Sequence, residues 1–153
     1  MPMFAWFGKF LNNRAGNASV EAALVLPILI VMFAGVAEIG RGLYQTVAIE
    51  KGLRAGALYL ARSELPITQS MTDTAVTLVK TGGSPHYLAD GWADASATVE
   101  IETQDFIIDG TTVPVFRLSA SVPFDPLFSN LVPGLDLSIQ TIKLSHEQPH
   151  VGL

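Results

Sequence analysis

The chain has 153 residues, a formal charge of −5 and no cysteine, which fits one domain of ordinary size and excludes a disulfide framework, a thiolate metal site and a thiol nucleophile. Residues 1–62 carry six basic and three acidic side chains, whereas residues 63–153 carry three basic and eleven acidic ones. An acidic C-terminal part offers no phosphate-neutralising patch, so nucleic acid is not an expected partner.

In chain order, a short segment with Lys9 and Arg14 precedes an apolar run, and residues 22–37 (AALVLPILIVMFAGVA) hold no charge. Sixteen residues give roughly 24 Å of helix, short of a ~30 Å hydrocarbon core; counting from Ala18 makes the span long enough and brings Glu21 into it. A cleavable secretory signal shares the basic start, but the run is long for one and has Pro27 at its centre. No convincing small-x-small cleavage site follows before Glu38 and Arg41. Beyond it, Ile39, Leu43, Val47, Leu53, Ala57 and Ala61 recur near three-to-four spacing with Arg41, Gln45, Glu50, Lys51 and Arg54 between them. This predicts one helix over residues 17–62, lipid-buried first and amphipathic afterwards. Pro27, Gly35, Gly40 and Gly42 permit local bends. Orientation by lysine and arginine is close to a tie, with Lys9, Arg14 and the amino terminus on one side and Arg41, Lys51 and Arg54 on the other.

At the start of the run stands Gly16-Asn17-Ala18-Ser19-Val20-Glu21-Ala22. Read from the residues alone, Glu21 is a carboxylate favoured at a helix N-terminus, with Ser19 helping as a cap. Together with Glu21-Ala22-Ala23-Leu24-Val25-Leu26-Pro27, Glu38-Ile39-Gly40-Arg41 and Ala55-Gly56-Ala57, however, the segment resembles the TadE-like family of tight-adherence (Flp-type IV) pilus systems. The resemblance covers residues 16–62, with a weaker echo in Pro126-Leu127 and Val132-Pro133-Gly134. It implies cleavage by prepilin peptidase between Gly16 and Asn17, making Glu21 the fifth residue of the mature chain. It also implies a cytoplasmic leader, an inner-membrane helix and a periplasmic outer domain. Glu21 would then pair with the new ammonium at Asn17, on its own or a neighbouring subunit, which relieves the cost of an ionisable group at a membrane helix. Implied partners are prepilin peptidase, other pilins or pseudopilins, and the inner-membrane assembly platform. Gly35, Gly40 and Gly42 would let neighbouring helices approach closely.

Ser63 to Pro66 ends the helix, because a residue before proline avoids the helical region. Residues 68–80 predict a short second helix with Met71, Ala75, Leu78 and Val79 on one side, and Gly82-Gly83-Ser84-Pro85 opens a loop to Asp94. Tyr87 and Trp92 read as loop packing. Residues 98–108 and 111–122 alternate apolar and polar around Asp109-Gly110, a two-residue hairpin signal. Leu135, Leu137 and Ile139 predict a third strand, continued out of phase by Ile142 and Leu144 across a bulge. The expected fold is α+β and pilin-like: a long N-terminal helix packed on a small antiparallel sheet of about three strands. The expected organisation is a leader at 1–16, a transmembrane segment at 17–38, and an outer domain at 39–153 whose amphipathic helix runs to about 62.

His146-Glu147-Gln148-Pro149-His150 matches H-E-x-x-H letter for letter, but zinc binding by that motif needs a helix, which Pro149 disfavours. It reads as a polar tail after the last strand. His86 is alone in a loop, and Asp90, Asp94, Asp105 and Asp109 lack an EF-hand spacing. No catalytic, cofactor or metal residue is assigned; the expectation is a non-enzymatic minor pseudopilin acting in pilus assembly and adhesion. The alternative is a single-pass anchored binding or sensing module with no pilus role.

Overall fold

The computed structural model describes residues 15–108, 110–124, 126–128 and 141–151, with backbone alone at 15–17 and 108. The expected leader, apart from its last two residues, lies outside the described residues, as do Leu135, Leu137, Ile139 and the Val132-Pro133-Gly134 motif.

Helix α1 spans Ala15–Ala61 without a break at Pro27. Its first half is apolar on every side, and Leu24, Ile28, Phe33 and Val36 are all mostly exposed. A helix this long and apolar can cross a membrane, and it suggests a single-pass anchor. Its second half buries one stripe, with Ile49, Leu53, Ala57 and Leu60 fully enclosed. Helix α2, Gln69–Thr81, lies against that stripe and buries Ala75 and Val79. The loop that follows contains a 3-10 helix at Asp90–Ala93, where only a loop was expected. It seats Trp92 in the core with the Lys80 ammonium 5.9 Å from the centre of its ring, while Tyr87 stays half exposed.

Strands β1 (Thr98–Ile108), β2 (Thr111–Pro123) and β3 (Thr141–Pro149) form one antiparallel sheet in the order β1-β2-β3. Ile108 pairs with Thr111 across a two-residue turn in which Gly110 takes φ +78°, the left-handed conformation such hairpins favour. Phe116, Leu118, Ala120 and Val122 of β2 point inward, opposite Gln148, His146, Leu144 and Ile142 of β3. This inner face packs on α1 and α2 to form one core, which is the expected helix-on-sheet arrangement.

The C-terminal reading needs a correction. Residues 146–149 are not a tail but the last four residues of β3, and the strand is tied to the end of α1. The backbone N–H of Val151 donates to the carbonyl of Ala61 (2.9 Å), and His150 Nε2 lies 3.0 Å from the carbonyl of Ser63. The His150 ring also meets Phe116 edge-on at 6.2 Å. Polar residues at 146, 148 and 150 hide a strand whose inner face is only half apolar. In a strand, positions four apart are ~13 Å apart, whereas the zinc motif needs its histidines one helical turn apart. Among the described residues no cluster of three or more His, Asp or Glu could hold a metal ion.

At the entry to β1, Asp94 Oδ1 accepts hydrogen bonds from the hydroxyl of Ser96 (2.6 Å) and from its backbone N–H (2.7 Å). These bonds, the hydroxyl foremost, favour the ionised form and hold the Asp94 carboxyl below its usual value of 3.8. Its small contribution to stability is therefore present above that value and is lost as pH falls through the lower folded-state value. An NMR titration of the Asp94 carboxyl should show a midpoint below 3.8 that returns to normal in Ser96→Ala.

Candidate functional site

Two regions of α1 carry the residues of interest. The first is its N-terminal start. Gly16 and Asn17 lie in the first turns of the helical backbone, and Glu21 is exposed one turn later among residues that are themselves exposed. In a membrane, a carboxylate at this position would snorkel to the headgroups or find a partner. Among the described residues, a side-chain carbon on Gly35 or Gly40 would have nothing within 4 Å apart from its chain neighbours and the backbone of its own helix. Gly42 is buried, and the Thr46 hydroxyl donates to its carbonyl at 2.8 Å.

The second region is the junction where the apolar half of α1 meets the folded domain. Glu38, the first charge after the apolar run, is 4% exposed. Its Oε2 accepts from the backbone N–H groups of Leu127 (3.1 Å) and Phe128 (3.2 Å), while its Oε1 accepts from Arg41 Nη1 at 3.0 Å. The Arg41 guanidinium in turn sits 5.5 Å from the centre of the Phe124 ring. One Glu-x-Gly-Arg motif thus clips the chain leaving β2 onto the helix at the edge of its apolar segment. Bonds from backbone amides to a carboxylate are the strong class of hydrogen bond. Sequence reasoning counted Glu38 as a flanking charge and missed this role, because two of its three partners lie 89 and 90 residues away.

A second feature was missed at the far end of the same helix. Side-chain carbons built on Gly52 and Gly56 would run into α2. At Gly52 the obstacle is the carbonyl oxygen of Val79, and at Gly56 it is Val79 Cγ2 (2.6 Å) and the carbonyl of Ala75 (2.9 Å). These glycines let the two helices touch backbone to backbone. Their i,i+4 spacing on the face that holds Leu53 and Leu60 was the available signal.

The arrangement is one of docking and anchoring: a buried carboxylate holds a distant segment, a glycine groove holds a second helix, and an exposed apolar rod projects from both. No curated protein and no solved structure matches the chain. Residues 16–58, from the second residue of α1 through Glu21, Glu38, Arg41, Gly52 and Gly56, match the family model described as TadE-like protein, the family that the motifs from Gly16 onward resemble.

Proposed function

We propose that the chain is a minor pseudopilin that acts, without catalysing a reaction, in assembly of a tight-adherence type IV pilus. In this reading prepilin peptidase removes residues 1–16 on the cytoplasmic side, Asn17 becomes the mature N-terminus, and the helix remains in the inner membrane with the sheet domain in the periplasm. Its partners are the peptidase, other pilins or pseudopilins, and the membrane assembly platform. The observation that carries the reading is the family match at residues 16–58, which begins at the glycine of the cleavage motif and runs along α1 into the domain. The free surroundings of Gly35 and Gly40 agree with a helix whose small residues meet other helices.

Co-expression with a cognate prepilin peptidase tests the proposal. Intact-mass spectrometry should show loss of residues 1–16, and Gly16→Ala should abolish that loss while the protein still enters the membrane fraction. An unchanged mass for the parent chain in the presence of active peptidase would refute the processing step.

A further inference from the structure

Strand β2 carries the chain down α1 to the level where the helix leaves its apolar run. Near the start of β2, the carbonyl of Pro114 accepts the backbone N–H of His150 (2.8 Å), and the next residue, Val151, is bonded to Ala61 at the end of α1. Beyond the other end of β2, Phe124 lies beside Arg41, and the amides of Leu127 and Phe128 are bonded to Glu38. The descent from Ala61 to Glu38 is about 35 Å at 1.5 Å per residue. With the apolar run ending at Ala37, Glu38 stands about 1.5 Å beyond it and Arg41 about 6 Å beyond it. Headgroups extend roughly 5–8 Å past the hydrocarbon core, so the chain reaches Glu38 at headgroup level.

The covered stripe of α1 goes lower still. Gln45, Gly42 and Glu38 are buried, and so is Ala34, one turn inside the apolar run. Ala37, on another face of the same run, is exposed, so the helix's own side chains do not bury an alanine here. What meets the surroundings at this level is apolar. Leu127 is 66% exposed, Pro126 and Phe128 are half-buried, and the sequence carries no charge from Pro126 to Leu135. A lone exposed leucine on a surface in water is ordinary. This one is held level with the exposed side chains of Val36 and Ile39, where α1 leaves its apolar run. Its amide and that of Phe128 are both satisfied by Glu38 Oε2, so the turn can rest on lipid without stranding a donor.

We propose that Pro126, Leu127 and Phe128 form a second membrane contact, a turn that seats Leu127 in the surface of the bilayer that α1 crosses. The domain then meets lipid at two points, the helix and the turn, and Glu38 ties one to the other. A helix alone leaves its domain free to swivel about the helix axis, whereas two contacts fix which side of the domain faces the lipid. The inference rests on the membrane reading of α1 but not on cleavage or on a pilus.

The chain has no cysteine, so the test places one thiol at a time in the full chain, held in phosphatidylcholine nanodiscs. Val36→Cys, Leu127→Cys and Ile107→Cys all replace mostly exposed side chains, and the Leu127 contact with Glu38 runs through backbone and is kept. Val36 is the lipid reference; Ile107, in the hairpin beyond the level of Ala61, is the water reference. In discs, Leu127→Cys should react with a charged, water-soluble maleimide several-fold more slowly than Ile107→Cys. A fluorophore attached at Leu127→Cys should be quenched by a nitroxide at the top of the lipid acyl chain and little by iodide. Timing the bare thiol guards against a fluorophore that seeks lipid by itself. A Leu127→Cys thiol as reactive as Ile107→Cys, with Val36→Cys protected, would overturn the proposal and leave the anchor standing. Shielding from water without quenching by the lipid nitroxide would also overturn it, and would make the turn a contact with a second copy. A reactive Val36→Cys would overturn the membrane reading of α1 itself, and the proposal with it.

Discussion

Glu38→Ala is expected to release Leu127 and Phe128 from α1 and to lower the stability of the full chain by about 2–3 kcal/mol. The carboxylate accepts two backbone N–H bonds and one guanidinium bond, and each bond to a charged group is worth roughly 1.5–3 kcal/mol net. Their sum is not lost in full. Leu127 is 66% exposed, so its freed amide finds water. Arg41, with 31% of its side chain open, is likewise not left as a buried lone charge, the case that costs most. Glu38→Gln keeps the shape and one acceptor oxygen, so about half the effect should remain. Hydrogen exchange at the Leu127 and Phe128 amides reads the contact directly: both should exchange much faster in Glu38→Ala, with the amides of β1 and β2 little changed. Unaltered protection at these two amides would remove Glu38 from the role assigned to it.

The same carboxylate shows where a sequence reading stops. Helix α1 could be read to within two residues at its start and one at its end, because a continuous apolar run followed by one-sided periodicity is a local signal that needs no knowledge of partners. The hairpin was equally plain, since alternation and a turn glycine are local too. Glu38 looked like a flanking charge because the groups that define it, two amides near residue 127, have no side-chain identity to leave a trace in the sequence. The end of β3 was lost for a different reason. Its inward positions after Leu144 are His146 and Gln148, which pack against Leu118 and Phe116 by register rather than by hydrophobicity. Its attachment to Ala61 and Ser63 runs partly through backbone. Gln45 read as a polar residue on the solvent side of an amphipathic helix, whereas it is 6% exposed.

Gly52→Ala should damage the domain more than the same change at Gly56 or Gly35. A side-chain carbon on Gly52 meets the backbone carbonyl of Val79 and lies 3.2 Å from Leu88 Cδ1. A main-chain carbonyl inside α2 cannot turn aside, so the two helices must separate and disturb the core around Val79 and Leu53. Overpacking of this kind costs about 1–3 kcal/mol or more, and the better helix propensity of alanine returns only up to ~1 kcal/mol. A net loss of about 2 kcal/mol is expected. Gly56→Ala should lose less, because its closest obstacles, Val79 Cγ2 at 2.6 Å and the carbonyl of Ala75 at 2.9 Å, stand farther off than the main-chain carbonyl that meets Gly52. Gly35→Ala meets nothing beyond its own helix among the described residues and should leave the isolated subunit unchanged or slightly more stable. Denaturant unfolding of the full chain in one detergent ranks the three, and a Gly52→Ala protein as stable as the parent would contradict the backbone contact. The ranking separates two uses of glycine on one helix. Gly52 serves the fold of the subunit and should fail in unfolding, whereas a loss of assembly in Gly35→Ala at full stability would mean that Gly35 meets another chain.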